Sequence, residues 1–368
     1  MKRSFIREIL ESIDKDTISF AGGLPDENLF PIKELKEANI KLYNNPKNLQ
    51  YSTSSGIASL KEKIANFYNC EGFETSTDNI LITTGSQQAL YIISNYFEHK
   101  QIIIEEPSYL GAVNTFRANN LDIKSIKLHN TGIDIEKFNK LYKSVKLAYL
   151  IPDYQNPTSA YYDKEIREKV AKTVLENNGY LIEDAPYSQL YFKDKLNSIS
   201  SILPNNSFHL GSFSKTLSPS LRIGWVRANK DIISKLTQIK ETIDLHSCTI
   251  SQYIIDNYLD DGNQYREHLQ NLRKNYFKKL QFFEKYLSIH LPSFKYKSPK
   301  GGMFIYGELN GIDTYKLVKK CMEEKVVYVP GNQFYLNENM GTNEIRFNFT
   351  HTSESEVDKG LKIIAKIL

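Results

Sequence analysis

The architecture of this chain follows from Ile80-Leu81-Ile82-Thr83-Thr84-Gly85-Ser86-Gln87-Gln88-Ala89-Leu90, where a strand pattern passes into a helix pattern. Residues 79–84 are short, mostly apolar and β-branched, which predicts a strand buried on both faces of a sheet. Residues 87–97 then carry the apolar spacing of a helix. The turn between them, Gly85-Ser86, places backbone N–H groups at a helix N-terminus, which favours binding of an anion.

The same alternation continues through the middle of the chain. Further strand patterns cover residues 101–105, 123–127, 147–152, 180–183, 208–211 and 223–228. Further helix patterns cover residues 110–119, 135–143 and 164–177. This order predicts an α/β fold with a mostly parallel, seven-stranded sheet. Ligands of such sheets bind at the carboxyl ends of the strands, where residues 85–86, 106–109, 153–156, 184–187 and 212–215 carry polar side chains.

The remainder of the chain has a different pattern. Residues 231–258 and 263–287 read as long charged helices, and residues 326–330 and 344–349 read as strands. Residues 17–21 form a lone strand pattern without a neighbour of its own, so we expect the N-terminal segment to pack with the C-terminal part. The prediction is a large α/β domain over residues 46–250 and a smaller α+β domain made of residues 1–45 and 251–368.

Composition excludes several classes of partner. The chain has 368 residues, with 47 basic and 43 acidic side chains, a balance too even to indicate binding of nucleic acid. No apolar stretch approaches the roughly 18 residues of a membrane span. Cys70, Cys248 and Cys321 lie far apart and the histidines show no metal spacing, so neither a disulfide framework nor a metal site is expected. The N-terminus lacks an apolar signal core, and we therefore expect a cytoplasmic protein.

Lys215 is a candidate catalytic residue because of the residues that accompany it in the sequence. It lies in Gly211-Ser212-Phe213-Ser214-Lys215, directly after a predicted strand. A lysine that forms a Schiff base with pyridoxal phosphate needs an acid for the pyridine nitrogen, donors for the ring hydroxyl, and cations and hydroxyls for the phosphate. Asp184 supplies the acid: at about 4 Å and an effective dielectric near 20, the charge pair is worth roughly 4 kcal/mol. A turn or helix cap is the alternative role for Asp184.

Three polar or aromatic residues complete the ring contacts that we predict. Tyr187, three residues after Asp184, and Asn156 can both reach the ring 3′-oxygen. Asn156 precedes Pro157, and ordinary turn chemistry is its alternative explanation. Tyr109 follows a strand end and can stack on a planar cofactor, although a plain core aromatic fits the same pattern.

The phosphate and the substrate need partners of the opposite charge. Ser86 and Gln87 open a helix, and Ser212 and Arg222 bracket Lys215, so these residues can converge on one phosphate. A surface ion pair is the alternative for Arg222. Arg346 lies in an aromatic strand and needs a partner there, either a substrate carboxylate or a buried Asp or Glu.

Taken together, these residues resemble the class I and II aminotransferases of fold type I, which are pyridoxal phosphate enzymes. Within that family the chain is most similar to the 2-aminoadipate and kynurenine/aminoadipate aminotransferase group. The similarity extends over nearly the whole chain and is carried by residues 4–10, 18–25, 49–52, 83–90, 106–112 and 211–215. The motif Asn-Pro-Thr-Gly reads Asn156-Pro157-Thr158-Ser159 here, which puts the shape of that turn in doubt.

The resemblance implies further roles. Lys215, Asp184 and Tyr109 would be the catalytic residues, and Arg346 with Asn156 would bind the substrate α-carboxylate. Tyr51 would reach the phosphate of the other subunit, so the active unit would be a homodimer. Gly23 would lie in the loop over the substrate, and Arg7 would face a side-chain carboxylate.

The reaction that the resemblance implies is transfer of an amino group from an L-amino acid to a 2-oxo acid such as 2-oxoglutarate, in two half-reactions. Arg7 favours 2-aminoadipate or glutamate as the donor, and aromatic donors stay open. A β-eliminating C–S lyase on the same scaffold is an alternative. A non-catalytic sensor of pyridoxal phosphate is another, and the short N-terminal segment, without the winged-helix domain of related regulators, argues against it.

Overall fold

The computed structural model describes residues 14–368. Its strands are β1 Ile18–Ser19, β2 Ile80–Thr83, β3 Gln101–Glu106, β4 Asp122–His129, β5 Gly132–Ile133, β6 Leu147–Leu150, β7 Tyr180–Asp184, β8 Ser207–Ser212, β9 Gly224–Arg227, β10 Lys295–Tyr296, β11 Phe304–Glu308, β12 Val326–Val327, β13 Val329–Pro330 and β14 Glu344–Asn348. Its α-helices are α1 Ile32–Leu42, α2 Ala58–Cys70, α3 Gly85–Tyr96, α4 Leu110–Ala118, α5 Ile135–Val145, α6 Lys164–Glu176, α7 Lys230–Glu241, α8 Thr249–Tyr258, α9 Gly262–His290, α10 Thr314–Glu323 and α11 Glu354–Ile367.

The large sheet has eight strands in the order β2-β9-β8-β7-β6-β3-β4-β5. Pairing from β8 through β7, β6 and β3 to β4 is parallel, while β9 and β5 run antiparallel to their neighbours. The predicted α/β class with a mostly parallel sheet is therefore confirmed. The eighth strand, β5, is two residues long and forms a hairpin with β4, too short for a pattern to reveal.

Both faces of the sheet are covered by apolar side chains. Ile102 and Ile104 of β3 belong to one buried cluster, and Ile103 between them belongs to a second. Such alternation follows from the strand period of two. Helix α3 adds Leu90 to the first cluster, and α5 adds Phe138 to the second. Burial on both sides explains why these strands read as continuous apolar runs.

A smaller four-stranded sheet, β10-β11-β14-β13, is formed by the C-terminal part of the chain. The N-terminal strand β1 pairs in parallel with β12, with Ile18 opposite Val326. Phe20, just beyond β1, packs edge-to-face on Phe283 of α9 and Phe347 of β14. These contacts support the expected packing of the N-terminal segment with the C-terminal part, while the division at residues 46 and 250 stays a prediction.

One helix prediction was wrong. Residues 231–258 form two helices, α7 and α8, rather than one. Helix α7 ends at Glu241, and in the segment between the helices the Asp244 and Ser247 side chains contact the Thr84 hydroxyl. Contacts with a distant part of the chain thus interrupt a helical periodicity that is continuous in sequence. Within residues 14–368 no helix is both long and apolar enough to cross a membrane.

Candidate active site

A cavity of about 280 Å³ opens at the carboxyl edge of the large sheet. The parallel strands β2, β3, β6, β7 and β8 all end at this edge, and the antiparallel strand β9 begins there. The cavity is lined by Gly23, Ser86, Gln87, Tyr109, Ile151, Asn156, Asp184, Pro186, Tyr187, Ser212, Ser214, Lys215, Pro219, Arg222 and Arg346. Every predicted site residue within residues 14–368 except Tyr51 therefore lies at this one place.

Lys215 reaches the cavity from the loop after β8. Its Nζ donates a hydrogen bond to the Gly23 carbonyl, at 2.7 Å. Burial, together with the charges of Arg346 and Arg222, lowers the pKa of this amine to about 8. An amine with this pKa is neutral in a useful fraction near physiological pH, which is the state required of a nucleophile or a base.

Asp184 is the last residue of β7. The hydroxyl of Tyr149 on the neighbouring strand β6 donates to its Oδ2, at 2.8 Å. Its other oxygen, Oδ1, is buried and has no hydrogen-bond partner within the part of the chain described. Burial raises the pKa of Asp184 to about 6, and the Tyr149 hydrogen bond opposes that rise. A buried carboxylate oxygen without a donor fits a ligand that brings a protonated ring nitrogen.

The opposite end of the cavity is an anion site. Helix α3 begins there, and its N-terminus presents the hydroxyl of Ser86, which is buried and has no partner among residues 14–368. The Arg222 guanidinium lies close by, with Nη2 donating to the Thr84 carbonyl at 3.4 Å. Ser212 Oγ accepts from the Ser214 amide at 3.1 Å. A helix N-terminus with hydroxyls and a guanidinium is the chemistry that binds a phosphate.

Gly85 makes this arrangement possible. Its φ of +72° lies in the left-handed region, and a Cβ here would stand 2.6 Å from Nη2 of Arg222. Only glycine meets both conditions without displacing the guanidinium.

Arg346 enters from β14 of the smaller sheet. Its Nη1 donates to Asn156 Oδ1 at 2.7 Å, its Nη2 donates to the Ala21 carbonyl, and its guanidinium carbon lies 4.3 Å from the centre of the Phe304 ring. Within residues 14–368 its guanidinium therefore donates to an amide oxygen and a backbone carbonyl rather than to a carboxylate. Its Nε is buried without a partner in the same range. A buried cation with a spare donor is suited to an anionic substrate group.

Asn156 connects this cation to the aromatic side of the cavity. Its Nδ2 donates to the Tyr187 hydroxyl at 3.4 Å. Burial raises the pKa of Tyr187 above its ordinary value, so the phenol stays protonated and keeps its donor. Tyr109 stands at the start of α4, where a Cβ on Gly111 would come within 2.4 Å of its ring.

One predicted residue of the described range, Tyr51, does not line the cavity. Tyr51 is 79% exposed, and its ring centre lies 5.9 Å from that of His246. Arg7 lies outside the described residues. Conversely, the sequence patterns did not reveal Tyr149, although a tyrosine in an apolar strand needs a partner for its hydroxyl and is a signal in itself.

Comparisons with known proteins agree with this chemistry. The sequence profile of the family "Aminotransferase class I and II" matches residues 15–364. A 2-aminoadipate transaminase of Thermus thermophilus is 32% identical, over 100% of this chain and 94% of its own length. The aromatic-amino-acid aminotransferase 1 of Thermococcus litoralis is also 32% identical, over 100% of this chain and 92% of its own.

One solved structure is similar throughout. It is the α-aminoadipate aminotransferase of Thermus thermophilus, complexed with N-(5′-phosphopyridoxyl)-L-leucine. It superimposes with a TM-score of 0.91 at 32% identity, covering 100% of this chain and 95% of the other.

Proposed function

Because this chain belongs to the class I and II aminotransferases and uses pyridoxal phosphate, we propose that it transfers the amino group of an L-amino acid to 2-oxoglutarate in a ping-pong sequence. The observation that carries the proposal is that a lysine amine and a buried carboxylate lie in one cavity. Lys215, with a pKa lowered to about 8, lies in the same cavity as the Asp184 carboxylate, whose Oδ1 has no donor among residues 14–368.

The residues of the cavity divide into three groups around the cofactor. We propose that Asp184 holds the ring nitrogen, Asn156 and Tyr187 hold the ring 3′-oxygen, and Tyr109 stacks on the ring. Ser86, Gln87, Ser212 and Arg222 would hold the phosphate, and Lys215 would form the Schiff base. When bound, pyridoxal phosphate supplies an electron sink for the bond to be broken at the substrate Cα.

The proton at the substrate Cα is moved by Lys215. As a free amine, Lys215 would be partly neutral because of its lowered pKa, and it would then be able to accept that proton. The charges of Arg346 and Arg222 favour the neutral form before transfer and the return of the proton afterwards. Lys215 is thus both the nucleophile and the general base.

Arg346 positions the substrate. Its planar guanidinium suits a carboxylate, and its bonds to Asn156 and the Ala21 carbonyl fix the direction in which its remaining donors point. Fixing the α-carboxylate orients the Cα–H bond towards Lys215, which is the entropic part of the catalysis.

For the amino donor we propose 2-aminoadipate or glutamate, with aromatic amino acids as further substrates. Relatives of comparable identity carry the names of a 2-aminoadipate and an aromatic aminotransferase, which supports both classes. Arg7 is the residue that we propose to face a side-chain carboxylate.

We further propose that the enzyme is a cytoplasmic homodimer in which Tyr51 reaches the phosphate of the other subunit. Its side chain is 79% exposed, and further exposed apolar residues are Tyr43 and Leu49, near it in sequence, and Ile243 and Leu245, near His246, whose ring contacts Tyr51. A concentration of exposed apolar side chains is typical of a protein interface. The free thiols Cys70, Cys248 and Cys321 suit a reducing compartment.

The proposal is tested by assaying a panel of L-amino acids with 2-oxoglutarate and measuring the glutamate formed. In the reverse direction, with glutamate as the donor and 2-oxoadipate as the acceptor, the 2-aminoadipate formed is measured. Borohydride reduction followed by peptide mapping should find the cofactor on Lys215. A tagged peptide elsewhere contradicts the assignment of the lysine. Release of pyruvate and sulfide from cysteine without an acceptor, in place of transfer, would replace the aminotransferase proposal by the lyase.

A further inference from the structure

The backbone of Thr84, which precedes the anion site, is hydrogen-bonded to a series of side chains that have no role in the proposed reaction. We call it the Gln88 bridge, and it consists of Thr84, Gln88, Asp244 and Lys240. Gln88 Oε1 accepts from the Thr84 amide at 2.8 Å, and Gln88 Nε2 donates to Asp244 Oδ2 at 3.0 Å. Asp244 Oδ1 in turn accepts from Lys240 Nζ at 2.8 Å.

Thr84 is therefore held at both of its backbone polar groups. Its N–H is bound by Gln88 and its carbonyl is bound by Nη2 of Arg222. The next two residues are Gly85 and Ser86, which open the anion site. The Thr84 side chain makes no hydrogen bond to the first turn of α3; its hydroxyl donates to Asp244 Oδ2 at 3.4 Å and lies 3.3 Å from Ser247 Oγ. The Gln88 bridge, together with a bond from the Thr83 hydroxyl to the Gly85 carbonyl, therefore orients this turn.

At the end of the bridge furthest from Thr84 lies the buried ammonium group of Lys240. The Lys240 side chain is 0% exposed, and Asp244 is the carboxylate with which it pairs. A buried ammonium tolerates little displacement of its counter-ion, because separating the two is costly in a medium of low dielectric constant. Asp244 is thereby fixed, and it fixes the Gln88 amide.

We propose that Gln88 and the Lys240–Asp244 pair are positioning residues for the cofactor phosphate, which set the place of the Ser86 hydroxyl and the amides beside it. This inference rests on the proposed phosphate role of Ser86 and Arg222. It adds residues of α7 and of the segment after α7, none of which lines the cavity.

A purely structural role is the competing explanation, and the two differ in selectivity. A structural role would weaken binding of any ligand in proportion to the loss of folded protein. A positioning role acts on the phosphate alone. Pyridoxal and pyridoxal phosphate share the ring and the Schiff base, so the ratio of their dissociation constants isolates the phosphate contribution.

The principal variant is Gln88→Leu, which removes the two hydrogen bonds that Gln88 makes in the bridge and leaves the Lys240–Asp244 pair in place. We expect the dissociation constant of pyridoxal phosphate from the apoprotein to rise about tenfold, and that of pyridoxal to change less than about twofold. The control is Asn95→Leu, near the other end of α3, whose amide donates to the Tyr91 carbonyl and to Asn119. It should leave both constants unchanged.

A second variant guards against misfolding. Lys240→Met combined with Asp244→Leu removes the buried pair as a unit, which proteins tolerate better than loss of one partner. It should show the same selective loss of affinity for pyridoxal phosphate, with thermal melting measured alongside. An unchanged ratio of the two constants in both folded variants overturns the inference. A wild-type protein that does not distinguish the two ligands would instead refute the phosphate site itself.

Discussion

Asp184 and Lys215 line one cavity with pKa values displaced towards each other. Burial raises the pKa of the carboxyl to about 6 and lowers that of the amine to about 8. Burial penalises charge, so both shifts favour the neutral form. The chain by itself thus bears a desolvation cost at these two residues, which a cofactor with a protonated nitrogen and an anionic oxygen offsets.

Asp184→Asn should raise the stability of the apoprotein and lower the transamination activity of the cofactor complex. The folded-state pKa of Asp184 is raised from 3.8 to about 6, so its stabilising contribution is present below pH 3.8 and is lost as pH rises through 6. We therefore expect the Asn apoprotein to be more stable than wild type above about pH 6 and equal to it near pH 4. Thermal melting against pH tests this, while transamination by the variant should be largely lost.

Asp26 provides a control of opposite sign. Burial pushes its pKa up, but the hydrogen bond and charge of Lys279 outweigh burial and leave the pKa lowered. Asp26→Asn should therefore destabilise the apoprotein at neutral pH, and this loss should shrink as the solution becomes acid. Equal behaviour of the two variants would contradict the assignment of Asp184 as a strained functional carboxylate.

Tyr149→Phe removes the donor to Asp184 Oδ2 and leaves the rest of the strand intact. A hydrogen bond to a charged group contributes about 1.5–3 kcal/mol, so we expect turnover to fall about tenfold to a hundredfold. The pH profile should move as well, because the pKa of Asp184 rises without this donor. The measurement is kcat and KM across pH, with the absorbance spectrum of the bound cofactor.

The matched control for Tyr149 is Tyr142→Phe. Tyr142 is also fully buried and donates to a backbone carbonyl, that of Tyr180, away from the cavity. It should lose stability of about 1 kcal/mol and keep its pH profile. A shifted profile in both variants, or in neither, would show that Tyr149 does not act through Asp184.

The turn between β2 and α3 is the element on which the anion site depends. Gly85→Ala would place a Cβ 2.6 Å from Arg222 Nη2 in a residue whose φ is +72°. We expect about 1–2 kcal/mol of backbone strain and, because the guanidinium is displaced, cofactor affinity about tenfold weaker or worse. Binding of pyridoxal phosphate to the apoprotein, with melting curves, provides the measurement.

Gly72→Ala separates strain from displacement. Gly72 has a similar φ of +76°, yet a Cβ there would meet nothing within 4 Å. This variant should lose similar stability and bind the cofactor as wild type does. Weakened binding in both variants would mean that strain alone explains the effect at Gly85.

Elements were predictable from the sequence where their pattern is long. The helix prediction over residues 164–177 differs from α6 by one residue at its C-terminal end, and the strand prediction over residues 101–105 differs from β3 by one. Failures occurred where distant contacts decide, as between α7 and α8, or where β5 is two residues long. The local periodicity of the sequence reveals neither the break between α7 and α8 nor a strand as short as β5.

Tyr51 and Leu245 are exposed apolar side chains on the surface of the molecule, and the proposed homodimer would bury them. Leu245→Asp places a charge there, beside His246, which contacts Tyr51. We expect a monomer with weaker cofactor retention, since Tyr51 of one subunit would no longer reach the other. Light scattering of the holoenzyme and dialysis of the cofactor measure the two effects.

Ile289→Asp is the matched control, because Ile289 and Leu245 are equally exposed, at 56%. Ile289 lies near the end of α9, on a different part of the chain, and its variant should stay dimeric. A dimeric Leu245→Asp protein with full cofactor retention would contradict the proposed interface.

Most of the candidate site could be predicted because a parallel sheet gathers its carboxyl ends. Eleven predicted residues, from Gly23 to Arg346, line one cavity. Arg346 was predicted by its charge in an aromatic strand, but its partner Asn156 follows only from the folded chain. The role proposed for Tyr51 depends on a second subunit, whose position cannot be derived from a pattern within one chain.

The position of β2 has a consequence for assembly. It lies at the sheet margin and pairs with β9, so that Thr83 faces Gly224 across a long intervening stretch of chain. Gly85 follows β2 and Arg222 precedes β9, so these two residues come into contact only when β2 has paired with β9. A nascent polypeptide that has not yet emerged as far as β9 therefore lacks the complete proposed phosphate site, so the coenzyme can be held there only after β9 has been synthesised.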